Sequence, residues 1–68
     1  MSEQRPVKAE LTGREREVAA RLLEGLTSKE IGRVLHISHR TVEIYRARLM
    51  RKYSASTTAD LVHKLLTA

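Results

Sequence analysis

Residues 27–53 read Thr27-Ser28-Lys29-Glu30-Ile31-Gly32-Arg33-Val34-Leu35-His36-Ile37-Ser38-His39-Arg40-Thr41-Val42-Glu43-Ile44-Tyr45-Arg46-Ala47-Arg48-Leu49-Met50-Arg51-Lys52-Tyr53. Thr27 and Glu30 form a capping box, in which the Thr oxygen takes the N3 N–H and the Glu reaches back to the cap. Ile31, Val34 and Leu35 follow at helical spacing and are expected to face inward. Ser38 is a favoured N-cap for a second helix. Only His36, Ile37 and Ser38 separate the two helices, and so short a link holds them at a steep angle. Gly32 sits mid-helix, where it costs up to ~1 kcal/mol relative to Ala. The expected reason is close approach of the following helix. Ile37 plugs the turn, and Val42 and Tyr45 seat the second helix on a core. This pattern is a helix-turn-helix, with His36 where the turn often carries Gly.

Outward from this pair, a further helix is expected on each side. Thr12-Gly13-Arg14-Glu15 is another capping box, followed by Val18, Ala19, Leu22 and Leu23 and closed by Gly25. Thr57-Thr58-Ala59-Asp60 resembles a third box with Asp for Glu, followed by Leu61, Val62, Leu65 and Leu66. The expected fold is an all-α four-helix bundle, with helices at about 13–24, 28–35, 39–53 and 58–66. Residues 1–10 are polar, contain Pro6 and read as a flexible tail or linker, leaving 11–68 as the domain.

The chain has 68 residues and a net charge of +5. A chain this short buries only about 60% of its unfolded surface, enough for one modest core. Cys is absent, which excludes a disulfide scaffold and a thiolate metal site and fits a reducing, cytoplasmic setting. No apolar run approaches the ~18 residues of a membrane span.

The charge is concentrated. Residues 39–53 hold Arg40, Arg46, Arg48, Arg51 and Lys52 against Glu43, a net +4. On a helical wheel Val42, Tyr45, Leu49 and Tyr53 form one apolar stripe. Arg40, Glu43, Ile44, Ala47, Arg48 and Arg51 occupy the opposite face, and Arg46 and Lys52 flank the stripe. A one-sided basic helix after a tight turn points to a nucleic-acid partner.

Three stretches carry a family resemblance: Leu11-Thr12-Gly13-Arg14-Glu15-Arg16-Glu17-Val18, Gly25-Leu26-Thr27-Ser28-Lys29-Glu30-Ile31-Gly32, and Ile37-Ser38-His39-Arg40-Thr41-Val42-Glu43 continued by Arg46-Ala47-Arg48-Leu49-Met50-Arg51-Lys52. The chain resembles, from about Leu11 to Leu66, the LuxR-type (GerE, or FixJ/NarL-like) helix-turn-helix DNA-binding domain of bacterial transcription regulators. Glu43 and the Arg46–Arg48 stretch look closest to the FixJ-like response-regulator branch. The resemblance implies sequence-specific binding of double-stranded DNA, with the third helix in the major groove. It matches Glu43, Ile44 and Ala47 to base contacts. It matches Lys29, Ser38, Arg40, Thr41 and the basic residues around Arg46, Arg48 and Lys52 to phosphate contacts, a set that Arg51 joins. It also implies a homodimer through the last helix, matching about Ala59 to Leu66. Ser54 stands where the family commonly has Gly after the third helix.

Elementary chemistry agrees. Glu43 can accept from cytosine N4, Ile44 and Ala47 can touch a thymine methyl, and Arg40 and Arg48 can fork to guanine. In the last helix, Val62 and Leu66 are one turn apart at the edge of the apolar arc and are assigned to the dimer contact, with Ala59 and His63 beside them.

The other function classes have weaker support. His36 and His39 lack a third ligand for a metal, and Ser38-His39 lacks an orienting carboxylate, so no enzyme, metal or cofactor is expected. A membrane-surface helix would need a wider apolar stripe. RNA is disfavoured because its A-form major groove does not admit this helix. A helix-turn-helix that contacts only protein, RNA polymerase or another regulator, is the alternative.

Overall fold

Every helix after the first nine residues begins on a side-chain oxygen. The computed structural model describes residues 10–67, so all of the expected 1–10 tail except Glu10 lies outside the described residues. The helices are α1 (Gly13–Leu23), α2 (Ser28–Leu35), α3 (His39–Lys52) and α4 (Thr58–Thr67), with no strand among the described residues.

Both capping boxes are closed. Thr12 Oγ1 accepts from Glu15 N–H while Glu15 Oε1 accepts from Thr12 N–H, and Thr27 and Glu30 make the same pair of bonds. Ser38 Oγ caps α3 by accepting from Thr41 N–H at 3.0 Å. At α4 the pattern shifts by one residue. Thr57 Oγ1 accepts from Asp60 N–H, but Asp60 Oδ2 accepts from the N–H of Ser56 rather than of Thr57.

Val18, Ala19, Leu22, Ile31, Val42, Leu49 and Leu61 form the buried core, to which all the helices contribute. Leu11, Leu26, Leu35, Ile37, Tyr45, Tyr53 and Leu65 pack around it. Two residues expected to face inward do not: Leu23 and Val34 are exposed. Leu23 is the last residue of α1, whose inward face is already filled by Val18, Ala19 and Leu22. In the short α2, Ile31 and Leu35 already fill the inward stripe, which leaves Val34 to solvent.

The turn corrects the reading of Gly32. A Cβ there would stand 2.7 Å from the Ile37 carbonyl oxygen and 3.4 Å from His39 N. The glycine therefore makes room for the backbone of the turn rather than for the body of the next helix. The Gly32 carbonyl in turn accepts from the Ile37 N–H at 2.9 Å. His36, at φ 60°, closes α2 in the left-handed region without a glycine, and Ser54, at φ 53°, does the same just past α3. Such a conformation costs an L-residue roughly 1 kcal/mol. Lys64 helps hold the second turn by donating to the Ser54 carbonyl at 2.8 Å.

Candidate nucleic-acid interface

α3 turns one side to the core and the other to solvent. Val42 and Leu49 are completely buried, whereas Arg40, Ile44, Ala47, Arg48 and Arg51 are exposed on the opposite side. Fourteen residues give α3 a length of about 21 Å. Its N-terminal turn carries Ser38 and Thr41, whose hydroxyls lie 2.9 Å apart. The first-turn N–H groups have no acceptor within the helix, so this end is electropositive. Lys29, on the first turn of α2, is also exposed.

The basic residues of α3 divide into two groups. Arg40, Arg48 and Arg51 make no ion pair among the described residues, and Arg48 lies over the Tyr45 ring, 5.4 Å from its centroid. Such a contact contributes about 0.5–1 kcal/mol at an exposed site and restrains the guanidinium. Arg46 and Lys52 are tied into the fold. Arg46 Nη2 donates to Glu43 Oε1 at 3.1 Å. Lys52 Nζ donates to Glu15 Oε1 at 2.7 Å and to the Glu10 carbonyl at 3.0 Å. Lys52 thus reaches back to α1, where Glu15 is only 2% exposed. The Lys52 hydrogen bond, with the Thr12 N–H, holds the Glu15 carboxyl below its ordinary value against the opposing effect of burial.

Glu43 is half-buried rather than fully outward. Its side chain is 39% exposed, and its second oxygen lies 3.4 Å from His39 Nε2. From α2, the buried Ser28 hydroxyl sits close enough to stabilise the carboxylate yet short of hydrogen-bond geometry. Ser28, then Arg46 and His39, keep the Glu43 carboxyl below its ordinary value. Neither Ser28 nor His39 belongs to the contact surface expected from the sequence. The spacing of His39, Glu43 and Arg46 at i, i+4 and i+7 was the available signal.

On α4, Leu61 is buried and Leu65 packs on the core. Ala59, His63 and Leu66 are exposed and Val62 is half-exposed, at positions that share one face. Leu66 is 68% exposed, the largest value among the exposed large apolar residues. No helix among the described residues is long and apolar enough to cross a membrane.

The family model described as bacterial regulatory proteins, luxR family, matches residues 9–65. Among curated relatives, the chain is similar to the transcriptional regulatory protein FixJ of Bradyrhizobium diazoefficiens, 43% identical over 60 residues, covering 88% of this chain and 29% of that protein. It is also similar to the tetrathionate response regulatory protein TtrR of Salmonella typhimurium, 40% identical over 55 residues, covering 81% of this chain and 27% of that protein. The chain therefore spans less than a third of the length of these relatives. Among solved structures, it is similar to Vibrio cholerae VqmA. The VqmA dimer without target DNA superposes with a TM-score of 0.85 at 40% identity, covering 88% of this chain and 27% of that one. The VqmA–ligand–DNA complex gives a TM-score of 0.83 at 38% identity, covering 97% and 29%.

Proposed function

Since the chain belongs to the luxR family of bacterial regulatory proteins, we propose that it binds double-stranded DNA sequence-specifically as a transcription regulator, with α3 in the major groove. The observation that carries this reading is the one-sided distribution on α3. Arg40, Arg48 and Arg51, without ion pairs among the described residues, share the outer face with Ile44 and Ala47. A B-DNA major groove about 12 Å wide admits a helix presented this way.

In this reading Lys29, Ser38, Thr41 and Arg51 contact phosphates, and the electropositive start of α3 supports them. Arg40 and Arg48 reach guanine edges, Ile44 and Ala47 reach thymine methyls, and Glu43 accepts from an exocyclic amine. Arg46 and Lys52 contribute less to phosphate binding than their charge suggests, because each already serves a carboxylate. Two copies bind two half-sites about one helical turn apart. They meet through Ala59, Val62, His63 and Leu66 of α4, supported by the exposure of that face and by the similarity to VqmA, described as a dimer.

The test is duplex binding across a salt series. Lys29 and Arg51, with partial contributions from Arg46 and Lys52, neutralise about two to three phosphates per copy and predict a log–log slope of roughly −2 to −3 for each bound domain. A flat slope would rule out the electrostatic mechanism and favour a protein partner instead.

A further inference from the structure

Along the edge of α3 nearest α2, three side chains form a unit that phosphate binding does not explain. His39, Glu43 and Arg46 lie on successive turns. Arg46 Nη2 stands 3.1 Å from one carboxylate oxygen of Glu43 and His39 Nε2 stands 3.4 Å from the other. The two partners approach from opposite directions along the helix axis. The carboxylate is thereby flanked on both sides, hydrogen-bonded by Arg46 toward the C-terminal end of α3 and approached by His39 toward the N-terminal end. Each carboxylate oxygen can accept more than one hydrogen bond, so acceptor capacity remains on both. The side chain is still 39% exposed, so that capacity is accessible to a ligand on the outer face.

We propose that His39, acting with Arg46, is a positioning residue for base selection: it fixes the Glu43 carboxylate as an acceptor for the exocyclic amino group of a base, cytosine N4 or adenine N6. The inference rests on the reading that α3 enters the major groove. An unpaired carboxylate among phosphates is repelled by them and free to rotate away. Arg46 offsets its charge and hydrogen-bonds one oxygen, and the His39 ring, with Nε2 3.4 Å from the other oxygen, limits its rotation. Guanine presents only acceptors (O6 and N7) in the major groove and thymine presents O4, so a carboxylate fixed there disfavours both. Exposed pairs at this spacing contribute little to folding. The unit therefore has little to do for stability and can be probed without unfolding the domain.

The experiment measures base preference with this chain, its His39→Ala and His39→Gln variants, and Glu43→Gln. A random duplex pool first gives the preferred site. Competition binding on that duplex, its single-base variants and an unrelated duplex then gives preference and background affinity separately. Glu43→Gln is expected to abolish preference at one position of the half-site. His39→Ala is expected to lower preference at that same position about three- to tenfold, a part of the discrimination one good base contact supplies. Background affinity and melting temperature should stay unchanged. His39→Gln is expected to restore most of the loss, because its amide N–H can stand where Nε2 stands. If Glu43→Gln loses the preference while His39→Ala keeps it, the role of His39 is overturned and the Glu43 contact survives. If Glu43→Gln changes no position, both are overturned. A His39→Ala loss that is equal on every duplex would make His39 a phosphate contact and overturn the proposal.

Discussion

Lys52→Met keeps most of the apolar stem and deletes the ammonium. What it leaves behind is the Glu15 carboxylate, 2% exposed. Glu15 Oε1 then retains the Thr12 N–H at 3.0 Å and loses the Lys52 donor at 2.7 Å. Arg48 acts on this carboxylate only through space. Removing one partner from a fully buried pair costs roughly 3–5 kcal/mol. Here the Lys52 side chain is 33% exposed, so water screens the pair and the figure must be discounted. The expected loss at this half-open site is about 2 kcal/mol. A domain of this size has roughly 3–10 kcal/mol in total, so the loss is a large share of it. At ~4–8 °C per kcal/mol for a small domain, Tm should fall by about 8–16 °C in thermal melts followed by helical circular dichroism at neutral pH. The double variant Glu15→Gln with Lys52→Met should recover much of this, since a neutral amide oxygen still accepts from Thr12. Acid provides an independent check. The folded-state pKa of Glu15 is lowered, so its contribution is complete above the unfolded value near 4.5 and is lost as pH falls through the folded value. The parent chain should therefore lose stability on that acid limb, and Lys52→Met should lose less of it or even gain. A Lys52→Met melt within about 2 °C of the parent would refute the argument, because it would mean that Glu15 is hydrated or re-paired at no cost.

Gly32→Ala should destabilise by about 1–2 kcal/mol in denaturant unfolding and also weaken DNA binding. The new methyl meets a backbone carbonyl at 2.7 Å, which outweighs the gain in helix propensity. His36→Gly and Ser54→Gly should each stabilise by about 0.5–1 kcal/mol by removing a left-handed conformation from a side-chain-bearing residue. A loss at either site would mean that its side chain makes a contact worth more than the backbone cost. Val62→Glu with Leu66→Glu should reduce cooperative binding to a two-half-site duplex while single-half-site binding and helicity persist. Unfolding of this variant would mean that the half-exposed Val62 supports the bundle, and would overturn its assignment to the dimer contact.

Local rules carried much of the fold. The boxes at Thr12 and Thr27 and the cap at Ser38 are set by residues three apart, so the starts of α1, α2 and α3 were legible before any packing was known. The basic outer face of α3 was legible for the same reason, since a wheel needs only the helical period. The partners of its charges were harder. Lys52 and Glu15 are 37 residues apart and meet only once α3 has packed against α1, so no periodicity reports the pair. The helical wheel puts Glu43 beside Arg40 on the outer face. Its partial burial depends on Ser28 of a different helix. Val34 shows the limit of spacing in the other direction: a helix of eight residues has room for one inward stripe, and an apolar residue beside that stripe stays wet.

The division of α3 into two faces has an evolutionary consequence. Val42 and Leu49 anchor the helix with complete burial, while Arg40, Ile44, Ala47 and Arg51 support nothing in the core. Exchanging the second set rewrites the outer surface and leaves the first set, the turn at Gly32 and the caps untouched. Duplicated copies of such a domain can diverge in what they recognise by single steps, each tolerated by folding, with no intermediate that has to sacrifice stability to acquire a new target.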